Sequence, residues 1–305
     1  MTMSESRRKK LSMLMKSLSA GDMPSAQKAL AEYGHSGVNR PQQKAAGPIS
    51  LADACGGAEV GVEVNGERVP YWLIRRTLSE VSPDDAAIST EFAAVLAGAR
   101  QQFDELAASA ELCHAANGSA EDVLFMDLET CGFSGSPIFL VGLMRCEGGE
   151  LIFEQHLARH YGEEAGILQA FAERLAGAGV LVTFNGKAFD MNMVRERSAF
   201  HAIDVPPRDG PPDNRMPPHL DLLHEARRRW KGVLPNCRLQ TLESHLCRRH
   251  RTGDIPGAAI PDAYHRFVDT ADARQVRDIL HHNLLDLLTM GQLLCVLLTG
   301  CEPGE

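Results

Sequence analysis

The order of hydrophobic patterns along the chain predicts an α/β fold, a sheet flanked by helices. Three strand-like runs follow one another at short spacing, DVLFMDL (122–128), PIFLVGLM (137–144) and ELIFEQHL (150–157). Gly148-Gly149 separates the last two, so an antiparallel meander is expected. Helical periodicity then covers 163–178, a buried strand GVLVTF covers 179–184, and a second helix covers 188–200. With 305 residues, 44% hydrophobic and 23% charged, the chain can bury a full core and is neither disordered nor fibrous.

Taken in order, residues 1–48 read as a flexible N-terminal segment holding one helical candidate, Ser25 to Tyr33, and a linker from Gly34 to Pro48. Arg7-Arg8-Lys9-Lys10 ahead of LSMLMKSLSA imitates a signal peptide. Lys16 interrupts the apolar part, however, and no small-residue cleavage site follows, so an exposed tail on a cytoplasmic protein is expected. Residues 49–118 read as a small α+β region: GVEV and ERVPYWLI are strands around Asn65-Gly66, a pair that tolerates positive φ, and Asp84-Asp85 caps a helix to about Cys113. Residues 119–300 form the main domain. Beyond the helix at 188–200, VPPRDGPPDNRMPP (205–218) holds six of the sixteen prolines and reads as an extended surface loop. HLDLL (219–223) is a last short strand, EARRRW and LQTLESHL are helical, and a long amphipathic helix runs from about Ala271 to Leu298.

Several function classes drop out. The longest unbroken apolar stretch, Leu293 to Leu298, is far short of the roughly 20 residues that cross a bilayer, so no membrane partner is expected. Eight cysteines (55, 113, 131, 146, 237, 247, 295 and 301) form no CxxC pair, which argues against a zinc ribbon or a disulfide framework. The net charge of −9 argues against a protein that coats DNA indiscriminately. Between Arg195 and Arg251, however, 12 Lys/Arg face 7 Asp/Glu, a local +5 that leaves −14 for the rest. Such a basic sector suits either a solvated charged face or a discriminating nucleic-acid binder.

Three constellations carry chemistry. Asp127 and Glu129 alternate onto one face at a strand end, where two carboxylates repel unless a cation sits between them. An oxygen-only site of this kind favours Mg²⁺ or Mn²⁺, although D-x-E alone also describes a solvated strand end. Phe184, Asn185 and Gly186 lead from the buried strand into a helix with Asp190 in its first turn, a place that suits an acid through the macrodipole and also a place where polar groups converge on open sites. His281, His282 and Asp286 lie in the terminal helix. His282 projects roughly 40° from Asp286 and His281 roughly 140°. An aspartate flanked by leucines must be held by something, most simply a basic residue.

In that order, D-x-E, N-G-x-x-F-D and H-x-x-x-D resemble the three exonuclease motifs of the DEDD superfamily. The segments FMDLETCGFSGSPIFLVG, LVTFNGKAFDMNMVRERS, HLDLLHEARRRWKGVLPNCRLQTLE, DIPGAAIPDAYHRF and HHNLLDLLTM resemble the YprB-type ribonuclease-H-like proteins over about residues 119–299. The resemblance implies a ribonuclease H-like fold, a mixed five-stranded sheet flanked by helices, with the 49–118 region as an N-terminal extension. It implies Asp127, Glu129, Asp190 and Asp286 as ligands of two Mg²⁺ or Mn²⁺ ions, and a metal-dependent 3′→5′ exonuclease acting on single-stranded or frayed DNA or RNA ends; the alternative is a non-catalytic nucleic-acid-binding module. Members carry tyrosine four residues or histidine five residues before the last aspartate, and here both positions are histidine. His282 is the catalytic base if the helix is continuous from Ala271, and His281 is the alternative if it begins later. Asp221 belongs to the resemblance with a supporting role, and Cys131 stands where threonine is more usual. Nucleic-acid contacts are expected from Asn185, Lys187, Arg228, Arg229, Arg248 and Arg249, supported by Arg227, Lys231, Arg238 and Arg251, with Trp230 and Phe133 as stacking faces.

Overall fold

The computed structural model describes residues 47–102, 108–132, 135–206 and 215–300. The expectations for the N-terminal segment, for Phe133, for Cys301 and for the middle of the proline-rich loop lie outside these residues. Residues from Pro48 onward form one compact unit.

Its helices are α1 (Leu51–Cys55), α2 (Leu78–Val81), α3 (Ala87–Gln102), α4 (Ala110–Asn117), α5 (Glu164–Ala176), α6 (Asp190–Phe200), α7 (Leu222–Trp230), α8 (Leu239–Leu246), α9 (Ile260–Thr270) and α10 (Arg274–Thr299). Its strands are β1 (Ala58–Val64), β2 (Glu67–Thr77), β3 (Val123–Thr130), β4 (Ile138–Glu147), β5 (Glu150–Leu157), β6 (Val180–Thr183) and β7 (His219–Asp221). All seven strands make one sheet in the order β1-β2-β5-β4-β3-β6-β7. The first five in that order pair antiparallel, and β6 and β7 continue from β3 in parallel. The five strands expected of the core are therefore present as β5-β4-β3-β6-β7, and the N-terminal hairpin extends them to seven by pairing β2 with β5. Asn65 (φ 51°) and Gly66 (φ 85°) turn that hairpin, as their tolerance of positive φ predicts.

Strand alternation separates two cores. Leu124, Met126 and Leu128 face α5 and α6 together with Leu143, Phe171 and Met191. Val123 and Phe125 face the other way, toward α3 and α10, with Phe92, Phe153 and Leu287. Asp127 and Glu129 continue this second row, so the pattern that builds the core delivers both carboxylates beneath α10. This helix carries an 18-residue window of hydropathy 1.3, apolar enough for a membrane span, but 72% of the window is buried within the protein, against the sheet.

Two helix boundaries depart from expectation. In the stretch foreseen as one helix from Asp84-Asp85 to Cys113, the described residues hold α3 and a newly capped α4, where Ser109 accepts a hydrogen bond from Leu112 N. Ala271 is left-handed (φ 55°) and closes α9, so the terminal helix starts at Arg274 rather than Ala271. It remains continuous through both histidines.

How α10 seats on the sheet depends on a missing side chain. Asp127, Gly142 and Gln155 are cross-strand neighbours on β3, β4 and β5. A Cβ on Gly142 would stand 2.0 Å from Asn283 Oδ1, so only glycine leaves room for the asparagine. Asn283, fully buried, accepts from Gln155 Nε2 at 2.9 Å and donates to Asp127 Oδ2 at 2.9 Å, while Gln155 Nε2 also donates to Leu280 O at 2.7 Å. Gly142→Ala should therefore expel Asn283 and lower stability by about 2–3 kcal/mol, read as a fall in thermal midpoint. Gly98→Ala on α3, with open space around it, should be neutral or stabilising; equal effects of the two changes would refute the fit.

Candidate active site

β3 ends the site's first wall. Its register with β4 shifts between Glu129 and Thr130, an irregularity that turns the strand end out of the ladder just after the second acid. From β6 the chain reaches Asn185, whose φ of 67° starts a tight turn. Gly186 follows with an added Cβ only 2.4 Å from Thr183 Oγ1, so a side chain is excluded there. Asp221, buried at the end of β7, holds this turn: it accepts from Asn185 N (2.8 Å) and Lys187 N (3.0 Å) and caps α7 through Leu223 N (3.1 Å). Its part is to fix the turn that launches α6, with Asp190 as the first residue of that helix.

The four expected acids converge. Asp127 and Glu129 are half-buried and Asp190 is buried. Burial drives the Asp127 carboxyl well above its usual range, and the charges of Asp286, Glu129 and Asp190 push it further, against the Asn283 hydrogen bond. Burial likewise raises Glu129, followed by Asp286, Asp190 and Asp254. Asp190 is pushed up to about 7, again by burial first; its own backbone N–H and that of Leu128 oppose the shift, and Asp221 adds to it. Among the described residues no cationic side chain pairs with any of these three.

Asp286 differs. Arg251, only 6% exposed at its side chain, pairs with it at 2.6 Å, and also with Glu243 at 2.6 Å and Asp254 at 3.2 Å. The simplest expectation for Asp286, a basic partner, thus holds alongside its place in the acid cluster. Arg251 itself, expected at a phosphate, is instead a buried tie between α8 and α10.

The continuous helix brings His282 to this cluster. Its Nε2 stands 3.5 Å from Asp286 Oδ2, and its Nδ1 is hydrogen-bonded to Asp254 Oδ2 at 2.8 Å. His281 is exposed and lines a cavity of about 270 Å³ with Arg76 and Arg277, a cavity that Asp254 also borders. Asp254, Asn283 and Gln155 are the participants the sequence reading missed. Asp254 lay in a quoted segment, DIPGAAIPDAYHRF, with no periodicity to mark it, and Asn283 lay inside the His-Asp motif itself.

The expected nucleic-acid contacts divide. Arg227, Arg228, Lys231, Arg238 and Arg248 are exposed, as is Asn185. Lys187 Nζ pairs with Glu111 Oε1 on α4 at 3.1 Å. Arg229 donates to Gly300 O at 2.7 Å at the C-terminal end of α10, a helix-terminating contact. Arg249 lies near Glu243 (3.7 Å) and Asp85 (3.8 Å). Trp230 is fully buried in the α10-side core, which corrects its reading as a stacking face. Cys131 packs half-buried near Tyr264 and Ile279, and burial pushes its thiol up to about 12, so it is a neutral packing group.

A hard divalent cation suits this donor set, since all four acids offer oxygen only and three lack a balancing charge. Among the described residues no three His, Cys, Asp or Glu side chains stand close enough together to hold a metal ion as they are.

Residues 124–298, over half of the chain, match the family model of the RNase_H superfamily. The uncharacterized protein YprB of Bacillus subtilis (strain 168) is 34% identical over 174 residues, 55% of this chain and 40% of that protein. The chain thus matches less than half the length of this relative. Among solved structures, a family B DNA polymerase from the archaeon Pyrobaculum calidifontis overlays with a TM-score of 0.45 at 15% identity, covering 56% of this chain and 24% of the polymerase. E. coli Exonuclease I in complex with a dT13 oligonucleotide overlays with a TM-score of 0.31 at 21% identity, covering 53% and 45%. By its matched sequence and its sheet, the chain belongs to the RNase_H superfamily.

Proposed function

We propose that the protein is a metal-dependent nuclease, and specifically a 3′→5′ exonuclease acting on single-stranded or frayed nucleic-acid ends. The observation that carries this reading is the convergence of Asp127, Glu129 and Asp190 with no cationic partner among the described residues, next to Asp286 and a histidine on α10. Such an arrangement is costly for stability alone and is rewarded when divalent cations bind.

Asp127, Glu129, Asp190 and Asp286 would hold two Mg²⁺ or Mn²⁺ ions, which supply an activated water and charge stabilisation at the leaving 3′ oxygen. The chain's own residues do the rest. Asn283 fixes the Asp127 carboxylate through its 2.9 Å hydrogen bond, and Arg251 fixes Asp286. Asp254 orients the His282 ring through Nδ1, which leaves Nε2 on the acid side to take the proton of the attacking water. Asn185 and Lys187 border Asp190 on the turn held by Asp221, where they can meet the strand's backbone.

End-labelled DNA and RNA oligonucleotides should be shortened in Mn²⁺ or Mg²⁺, with the rate reduced at least about 10³-fold in Asp127→Asn. Cleavage that survives excess EDTA would overturn the metal assignment, and binding without cleavage under every ion would make the protein a non-catalytic nucleic-acid-binding module. In single-turnover experiments His282→Ala should slow cleavage by roughly 10²- to 10⁴-fold, the usual worth of a general base, whereas His281→Ala should cost far less. The reverse order would move the base to His281.

The cluster also sets a pH signature. Asp190, raised to about 7 in the fold, contributes stability below its unfolded value near 4 and loses it as pH climbs through 7. Without divalent ions, Asp190→Asn should therefore melt several degrees above wild type at pH 8 and close to it at pH 4. Saturating Mn²⁺ should reverse the order at pH 8 by stabilising only the wild type. Superimposable melting curves across this range would contradict the uncompensated cluster.

A further inference from the structure

Beside the Asn185–Lys187 turn, at the β7 edge of the sheet, lies a second feature that shares only Lys187 with the proposed chemistry. A cavity of about 350 Å³ opens at the β7 edge of the sheet, lined by His114 and Glu111 of α4, Lys187, Arg195 of α6, and Arg215 and His219 ahead of and on β7. Three permanent cations and two histidines thus face a single carboxylate.

The partners of these cations are incomplete. Arg195 Nη2 donates to the thioether of Met216 at 3.5 Å, a weak acceptor for a guanidinium, and no carboxylate pairs with Arg195 or Arg215 among the described residues. Lys187 is held by Glu111 at 3.1 Å, and Glu111 also feels the charge of Arg228 on α7, so that exposed arginine stands on the same side of the molecule. Glu111, 39% exposed at its side chain, is the one carboxylate among the described residues that line the cavity, while Arg228 also stands 3.8 Å from Glu225. Guanidinium groups with unused planar donors suit phosphate oxygens, which accept two N–H bonds at once. A cavity open to solvent at a sheet edge, rather than a flat basic surface, fits one diester group and its sugar better than a long duplex.

We infer that this pocket at the β7 edge, built by Lys187, Arg195 and Arg215, binds a backbone phosphate of the same single strand whose end enters the acid cluster, with Glu111 occupying Lys187 until the strand arrives. The inference deepens the nuclease reading and rests on it for the identity of the strand. Both sites share one turn: Asp221 fixes Lys187 N, and Asp190 follows three residues later, so a phosphate seated in the pocket is positioned by the same backbone that positions the acid. Glu111 makes the pocket selective, since only an anion able to replace its carboxylate gains Lys187.

The test uses the full chain carrying Asp127→Asn, so that binding is read without cleavage, and a fluorescent twelve-residue oligothymidylate as probe, followed by anisotropy over a range of salt. Adding Arg195→Gln and Arg215→Gln should weaken binding about tenfold and lower the salt slope by about 1.4, two contacts at roughly 0.7 each on a single strand. Adding Glu111→Gln instead should tighten binding several-fold, a gain that loss of a structural ion pair would not produce. Circular dichroism and thermal melting confirm that each variant is folded. Unchanged affinity and slope in the double arginine variant, weaker binding in a folded Glu111→Gln variant, or no binding of the probe at all would overturn the pocket. A wild type that never cleaves while these shifts appear would overturn only the nuclease reading.

Discussion

Everything near the acids depends on the close approach of α10 to the sheet at Gly142. A helix cannot press a polar side chain between two strands' worth of side chains unless one of them is missing, and the missing one lies between Asp127 and Gln155. Asn283 fills that gap and is satisfied on both sides, which is what allows a fully buried amide in an otherwise apolar interface. The same contact fixes the rotation of the helix. With Asn283 toward the sheet, His282 stands 3.5 Å from Asp286, while His281 is exposed and turned into a neighbouring cavity. Which histidine stands beside Asp286 thus depends on a glycine on a strand.

The electrostatics divide into a satisfied half and an unsatisfied half. Arg251 joins Glu243, Asp254 and Asp286 into a buried network that ties α8 and the 251–254 segment to α10, and Thr289 adds a hydroxyl to Glu243 at 3.0 Å. Once desolvated, such a network resists the loss of any one partner, because the others are left charged and buried. Asp127, Glu129 and Asp190 on the sheet side have only dipoles to lean on, namely an asparagine amide and backbone N–H groups. A cationic partner within the chain is present on one side of the cleft and, among the described residues, lacking on the other.

Much of this was legible in sequence because it followed strict periods. Alternation in β3 placed Asp127 and Glu129, and the 3.6-residue repeat placed His282 beside Asp286 even though the helix starts three residues later than expected. The meander, the strand before Asn185 and the short strand at His219 were read from runs bounded by turn residues. What escaped was long-range. Asp254 and Arg251 sit on irregular backbone, and their roles come from residues 28 and 35 positions away. Gly142 reads as an ordinary small residue in a strand, and only the register with Gln155 and Asp127 gives it meaning. The cations of the basic sector were counted correctly, but composition cannot tell Arg228 in solvent from Arg229 on a helix end or Arg251 in the interior.

The hairpin at the start of the described chain changes what the central strands experience. Six residue pairs join β2 to β5, so β5 is an interior strand with Ile152, Phe153, His156 and Leu157 shielded on both sides. In a fragment that began at residue 119, β5 would be an edge, presenting a row of open backbone groups flanked by large apolar side chains. Edges of that kind recruit other strands, so such a fragment is exposed to self-association along β5. The hairpin protects the central sheet as much as it extends it, and a domain cut out at the family boundaries alone would lack its own cover.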